Sequence, residues 1–120
     1  MYSKDHEWVK IEGNTATVGI TDFAQSELGD IVYLEIDKLD EAVETNEVFG
    51  SVEAVKTVSD LFSPISGTIT EVNEDLESSP EKINEDPYNS GWIVKLSIEK
   101  DADTSSLLDA NEYLELIGDA

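Results

Sequence analysis

The sequence predicts a single, mainly β domain over residues 1–120, with short helices and a further helix at the C-terminus. Three observations support this fold class. Apolar and polar residues alternate over short segments, as they do in half-buried strands. Gly, Asn, Asp and Pro residues separate those segments and indicate turns. The 120 residues are 39% hydrophobic, which is enough to form one core in a chain of ordinary domain size.

The N-terminal elements are predicted to be a hairpin followed by a short helix. Segments 8–11 and 15–20 alternate like strands and flank a Glu-Gly-Asn turn, in which residues with positive φ angles are favoured. Thr21 or Asp22 then has the short polar side chain of a helix N-cap, and Gly29 marks the helix end. A helix between these residues would follow the hairpin directly.

The rest of the chain predicts further strands, two exposed connections and the terminal helix. The strand segments are 31–36, 49–55, 57–62, 68–72 and 92–98. Residues 37–47 are acidic and aperiodic, so we expect an exposed connection there. The polar, Pro-containing segment 73–90 predicts a long surface loop with room for a helical turn. The apolar residues of 107–117 have helical spacing, with Asp109 as the expected cap.

The charge of the chain excludes several partners. It carries 28 acidic residues and 7 basic ones, for a formal net charge of −21. All the basic residues are scattered lysines, which cannot form the basic stripe that nucleic acid or an anionic membrane requires. The chain has no cysteine, so disulfides, thiolate metal sites and a cysteine nucleophile are excluded and any redox chemistry must come from a cofactor.

The sequence also argues against a stand-alone catalyst. His6 is the single histidine, and no serine lies in a nucleophile elbow, so a catalytic triad is not indicated and a partly buried or surface imidazole is the simpler interpretation. The glycines do not form a phosphate-binding loop. Acidic pairs occur without the spacing of a calcium loop, so we expect no metal site.

One basic residue stands out by its isolation. Between Lys38 and Lys82 lie 43 residues with eleven carboxylates and a single lysine, Lys56. The strand pattern puts Lys56 at the tip of a hairpin, with Glu53 three residues before it and Asp60 four residues after it. Such a lysine can oppose edge-to-edge aggregation, or it can anchor a group-carrying cofactor that reaches into other proteins.

Five blocks of the sequence resemble one known family, the H proteins of the glycine cleavage system. These blocks are HEWVKIEG at 6–13, GITDFAQSELGDIVYLE at 19–35, GSVEAVKTVSDLFSPISGTITEVNE at 50–74, NEDPYNSGWIVKLSI at 84–98 and LLDANEYLELI at 107–117. The central block is the most specific, because Glu53, Lys56 and the following Ser-Pro-containing turn resemble the family's lipoylation signature. The resemblance implies a lipoyl/biotinyl-type barrel-sandwich hybrid of two small sheets.

The resemblance also implies the site residues. Lipoate would be amide-linked to the Nζ atom of Lys56, and Glu53 would take part in recognition by the lipoate-attaching enzyme. Glu7, Ile20 and Asp60 would line a groove for the loaded arm, with Glu7 stabilising its cationic amine. Some family members have a histidine in the segment corresponding to 25–28, and this chain has none there.

The implied function is that of a non-catalytic lipoyl carrier. The arm would accept the aminomethyl group from a pyridoxal-phosphate glycine decarboxylase (P-protein), deliver it to a tetrahydrofolate-dependent aminomethyltransferase (T-protein) and be reoxidised by dihydrolipoamide dehydrogenase (L-protein). The alternatives are a lipoyl relay to 2-oxoacid dehydrogenases, a biotin carrier, an unmodified acidic interaction module and a detached lipoyl domain of a 2-oxoacid dehydrogenase, which would lack the HEW start and the helical end. A biotin carrier is disfavoured because Val55 and Thr57 flank the lysine where methionines are expected.

The location of the protein is also an expectation. Only five residues precede His6, too few for a presequence, and no apolar run is long enough to span a membrane. We therefore expect a bacterial cytoplasmic protein, whereas a eukaryotic member with its presequence removed would lie in the mitochondrial matrix.

Overall fold

The computed structural model describes residues 1–99, 104 and 107–118. Short strands dominate this part of the chain, and the four helices in it have at most two turns each. The elements are β1 Glu7–Glu12, β2 Thr15–Ile20, α1 Asp22–Leu28, β3 Ile31–Ile36, β4 Ala42–Val43, β5 Val48–Ala54, β6 Val58–Phe62, β7 Gly67–Val72, α2 Asp75–Ser78, α3 Lys82–Glu85, β8 Val94–Ser97 and α4 Ala110–Leu116. None of the helices in the described ranges is long and apolar enough to cross a membrane.

The strands form two antiparallel sheets. One sheet has five strands in the order β1-β2-β8-β7-β4, and the other has three in the order β3-β5-β6. Apolar side chains from both sheets share one core: Val18, Ile69 and Leu96 come from the larger sheet, and Phe49 and Val52 come from the smaller one. The mainly β fold and the two-sheet sandwich are therefore confirmed, with the core between the sheets.

Glycine allows two features of the first hairpin. Gly13 has a φ angle of 61°, which the turn between β1 and β2 needs and which glycine adopts without a steric cost. Gly19 lies opposite Trp8 in the register of the two strands. A Cβ atom at Gly19 would lie 2.6 Å from the indole nitrogen, so the missing side chain lets Trp8 pack flat across β2 while its Nε1 donates to the carbonyl of Pro87 at 2.8 Å.

The predicted helix caps are confirmed. The Thr21 side chain accepts a hydrogen bond from the Ala24 amide, and Gly29 ends α1 with a φ angle of 82°. Asp109 caps α4 in a capping box with Glu112. These ends were predictable because a cap depends on a few neighbouring residues and needs no distant contact.

Two predicted connections contain short elements. Residues 42–43 lie within the expected exposed connection 37–47 but form β4, which pairs with β7, and Val43 is buried. Helices α2 and α3 lie within the expected loop 73–90, and they insert Leu76 and Ile83 into the core. The prediction of an exposed connection was wrong at residues 42–43, because a two-residue strand is too short to show a periodicity and forms through pairing. The loop 73–90 has two helical turns where one was allowed for, and its Leu76 and Ile83 are buried through tertiary contacts.

Candidate functional site

Lys56 lies at the tip of the hairpin formed by β5 and β6. The last pair before the tip joins Glu53 to Val58, and the Ala54 amide donates to the Thr57 carbonyl at 2.7 Å. The Val55 amide donates across to the Asp30 carbonyl at 3.0 Å, which fastens the tip to the segment before β3. Hydrogen bonds hold the backbone on both sides of Lys56, so the lysine projects from an ordered hairpin tip.

The Lys56 side chain itself is exposed. Within the described ranges, the ion pairs are Lys10 with Glu12 and Lys95 with Glu71, so no carboxylate there pairs with Lys56. An exposed primary amine is open to acylation by an enzyme. Lys56 lies at the tip of a hairpin, as the strand pattern predicts.

Glu53 occupies the outer face of the smaller sheet. Its neighbours Val52 and Ala54 are buried, whereas Glu53 is exposed, as the two-residue period of a strand requires. Cross-strand pairing puts Tyr33 on one side of Glu53 and Val58 on the other. The carboxylate is thus accessible on the same hairpin as Lys56, flanked by two exposed apolar side chains.

A groove of about 390 Å³ lies between the two sheets and α1. The three residues that the resemblance assigns to an arm groove, Glu7, Ile20 and Asp60, all line it. They come from β1, β2 and β6, so the fold brings together residues that are far apart in the chain. Buried Val52 and Leu61 belong to the same lining.

Helix α1 forms one side of this groove. Phe23, Ala24, Glu27 and Leu28 line it, and this spacing places them on one face of a helix. Sequence reasoning did not assign these four residues to the groove. The amphipathic spacing within the helix was a usable signal, although it could not show what the face would meet.

Glu7 is deeply buried for a carboxylate, with 3% of its surface exposed. The Ser3 Oγ atom donates to its Oε1 at 2.6 Å, and the Phe62 amide donates to its Oε2 at 3.4 Å. Burial is the main cause that raises the pKa of Glu7 to about 8, and the nearby charge of Asp5 adds to the rise while the two hydrogen bonds oppose it. Neither donor is a cation, so the charged carboxylate is poorly compensated.

The groove is acidic overall. Its lining includes the carboxyl groups of Asp5, Glu7, Glu27 and Asp60 together with the imidazole of His6, and it includes no lysine. The predictions from sequence missed Asp5, Glu27 and His6. An elongated ligand with an apolar body and a cationic end fits this combination of apolar wall and carboxylates.

A second cavity, of about 460 Å³, lies beside Tyr2, Tyr88 and α4. None of the residues expected at a functional site lines it. The first groove is the one that β6 joins to the hairpin tip, because Asp60 of β6 lines it.

The two small sheets form a barrel sandwich of the lipoyl-domain type, and this sandwich presents an exposed lysine at a hairpin tip. A family model described as "Glycine cleavage H-protein" matches residues 1–120. The chain belongs to the glycine cleavage H-protein family, whose members are the lipoyl carriers of the glycine cleavage system.

Individual proteins agree with the family assignment. The chain is 58% identical over 118 residues to a glycine cleavage system H protein of Staphylococcus epidermidis, and 52% identical over 118 residues to one of Staphylococcus carnosus. Both alignments cover 98% of this chain and 94% of the relative. A crystal structure of an H protein from Mycobacterium marinum superposes with a TM-score of 0.85 at 37% identity, covering 98% of this chain and 94% of that one. The relay alternative is not favoured by these matches.

Proposed function

We propose that Lys56 carries lipoate in an amide bond and that the chain acts as a non-catalytic carrier within the glycine cleavage system. The observation that carries the proposal is the exposed Lys56 at the tip of the β5–β6 hairpin. When bound, lipoate supplies a disulfide that takes up the aminomethyl group derived from glycine, releases it to a folate-dependent enzyme and is then reoxidised. This chain contributes the anchor, the presentation and a groove.

The residues around Lys56 fit this cofactor. An exposed primary amine is the group that an amide linkage needs, and the groove offers an apolar surface beside carboxylates. Asp60 lies four residues after Lys56, partly in the turn and partly in β6, so at ~3.3 Å per residue the two are at most about 13 Å apart. An extended lysyl–lipoyl arm can fold back over that distance into the groove.

Glu7, Ile20 and Asp60 have separate tasks in this proposal. Ile20 contacts the apolar part of the arm. Burial in the empty groove raises the pKa of Glu7 to about 8, and the cationic amine at the end of a loaded arm would favour its ionised form. Burial strengthens the resulting pair because little water screens it. Asp60 is exposed and adds a weaker, screened attraction near the entrance. Together these residues hold the labile group away from water until a partner enzyme accepts it.

Glu53 serves the attachment step. Its exposed carboxylate stands on the hairpin that the lipoate-attaching enzyme must approach, and it can pair with a cationic group of that enzyme. Other partners of the carrier are glycine decarboxylase, the aminomethyltransferase and dihydrolipoamide dehydrogenase. The relatives named above are bacterial, and we place this carrier, as a single domain, in the bacterial cytoplasm.

The intact mass of protein purified from its native host tests the anchor. We expect one lipoyl group on the unaltered chain and none on Lys56→Arg. Lys10→Arg is the matched control, because Lys10 is also an exposed strand lysine, and it should be lipoylated fully. An unaltered chain without the adduct, or an adduct on Lys56→Arg, would overturn the assignment.

Reconstitution tests the carrier role. Lipoylated protein mixed with the three partner enzymes, glycine, tetrahydrofolate and NAD should support NADH formation, whereas lipoylated protein alone should form none. A lipoylated chain that fails to support the reaction with active partners would refute the carrier role while leaving the attachment site intact.

A further inference from the structure

A tyrosine on the C-terminal helix connects two segments that border the groove. The hydroxyl of Tyr113 lies 2.9 Å from the His6 Nδ1 atom and 2.6 Å from the Thr21 Oγ1 atom. Tyr113 is 4% exposed and Thr21 is fully buried. One phenol therefore joins residues that are 107 and 92 positions away from it in the chain.

The hydrogen-bond capacities of this cluster are matched. The Thr21 Oγ1 atom also accepts from the Ala24 amide at 3.2 Å. The Tyr113 hydroxyl has one proton, so it donates to one neighbour and accepts from the other. Either Thr21 donates to Tyr113 and Tyr113 donates to His6, or the direction is reversed. The first arrangement gives each hydroxyl proton an acceptor and makes the His6 Nδ1 atom an acceptor, with the ring proton on Nε2. In the reverse arrangement, the proton of the buried Thr21 hydroxyl has no acceptor among the described hydrogen bonds.

The cluster holds the side of the groove that carries Glu7. His6 precedes Glu7 directly and lines the groove, and Ala24 lines it from α1. The backbone of His6 has a φ angle of 67°, which is unfavourable for a residue with a side chain and needs support from its surroundings. The Thr21 amide gives part of that support by donating to the His6 carbonyl at 3.0 Å.

The tyrosine ring is itself held in place. It stacks on Tyr2 with ring centroids 4.7 Å apart and an interplanar angle of 11°. The backbone of Tyr2 pairs with Leu108, just before α4, through hydrogen bonds of 2.8 and 2.6 Å. The C-terminal helix is thereby attached to the N-terminal segment that leads into the groove.

We propose that Tyr113 is a positioning residue for the arm groove. From the C-terminal helix, its hydroxyl fixes the His6 imidazole and the Thr21 side chain, and through them the relative position of Glu7 and α1. The inference rests on the proposed function of the groove. On this proposal the C-terminal helix helps to protect the loaded arm, in addition to packing on the N-terminal segment.

The main test compares Tyr113→Phe with Tyr2→Phe in the full-length, lipoylated chain. Tyr113→Phe removes the shared hydroxyl but keeps the stacked ring, and Tyr2→Phe removes a hydroxyl from the other ring of the stack. After loading with the aminomethyl group, we expect Tyr113→Phe to lose that group to water about fivefold faster, as the loss of one hydrogen bond would produce. Tyr2→Phe should lose it at the unaltered rate, and both should be lipoylated normally.

A second measurement does not need the cofactor. Nitrogen-15 NMR of the lipoate-free chain reports the tautomer of His6, because the two ring nitrogens differ when one of them is hydrogen-bonded to Tyr113. Tyr113→Phe should change these shifts and Tyr2→Phe should leave them in place. Unchanged His6 shifts in Tyr113→Phe would overturn the proposal, as would changed shifts together with an unaltered rate of loss.

Thr21 provides a second pair of variants if Tyr113→Phe does not fold. Thr21→Ser keeps the hydroxyl and should lose the aminomethyl group as slowly as the unaltered chain. Thr21→Val removes the hydroxyl and should lose the group faster. Equal rates in these two variants would count against the positioning role. If the unaltered chain carries no lipoate, the proposed function fails by itself, and the NMR comparison still decides whether Tyr113 orients His6.

Discussion

The buried carboxyl of Glu7 predicts a pH-dependent stability that Glu7→Gln removes. Folding buries this group and raises its pKa from 4.5 to about 8. Between these two values the folded chain holds a proton that the unfolded chain has released. Stability therefore falls as the pH rises through this range. The stabilising effect of protonation is complete below pH 4.5 and is lost above about pH 8.

The size of the effect follows from the same two values. Each unit of pKa corresponds to about 1.36 kcal/mol, so a rise from 4.5 to about 8 gives an upper limit of about 5 kcal/mol. We expect a measured difference of a few kcal/mol, because the structure around an ionised Glu7 can relax. Glutamine does not titrate, and its amide oxygen can still accept from Ser3 or from the Phe62 amide. The free energy of unfolding of Glu7→Gln should therefore lack this component of the pH dependence.

Urea denaturation of the lipoate-free chain at pH 5, 6, 7 and 8 measures the difference. The stability of the unaltered chain relative to Glu7→Gln should decrease steadily over this range. Glu12→Gln is the matched control: it makes the same chemical change on a side chain that is 70% exposed, and its pH dependence should follow that of the unaltered chain. A constant difference between the unaltered chain and Glu7→Gln from pH 5 to pH 8 would refute the reasoning.

Four further predictions concern attachment, the loaded arm, the core and the charge. Glu53→Gln should lower kcat/KM for lipoylation by about tenfold or more, because it removes the proposed ionic contact with the attaching enzyme. The control is Glu35→Gln, which neutralises another exposed carboxylate on the neighbouring strand. In lipoylated, loaded protein, Glu7→Gln should speed loss of the aminomethyl group about tenfold, and Asp60→Asn less than about fivefold, because exposed pairs are weaker. Phe49→Ala should cost about 3–5 kcal/mol in urea denaturation, since Phe49 is 1% exposed. Raising the salt concentration should slow reconstituted turnover, because it screens the attraction between a chain of charge −21 and basic rims on its partners.

Each of these predictions has a contrary result. Equal lipoylation of Glu53→Gln and Glu35→Gln would remove Glu53 from recognition. If Asp60→Asn lost the aminomethyl group faster than Glu7→Gln, the cationic amine would lie at the entrance of the groove. An unchanged urea midpoint in Phe49→Ala would mean that the core tolerates the cavity. Turnover that is insensitive to salt would argue against electrostatic attraction, and a fold that gains stability with salt would favour adaptation to a saline environment.

The sequence by itself determined the local features of this protein. The caps at Thr21 and Asp109, the end of α1 at Gly29 and the hairpin that presents Lys56 were all predictable, because each depends on a few consecutive residues. The residues that carry the family resemblance also lie in continuous blocks. The fold class, and Lys56 as the proposed anchor, could therefore be inferred before any contact was known.

Tertiary structure decided the groove and its chemistry. Glu7 is one carboxylate among 28 in the sequence, and its pKa rises because distant segments enclose it. Val43 joins the core through two residues of strand pairing, which alternation cannot reveal. Tyr113 meets His6 across 107 positions of the chain. Burial and hydrogen bonding between remote segments depend on how the sheets and helices pack, and neither composition nor local periodicity encodes those distances directly.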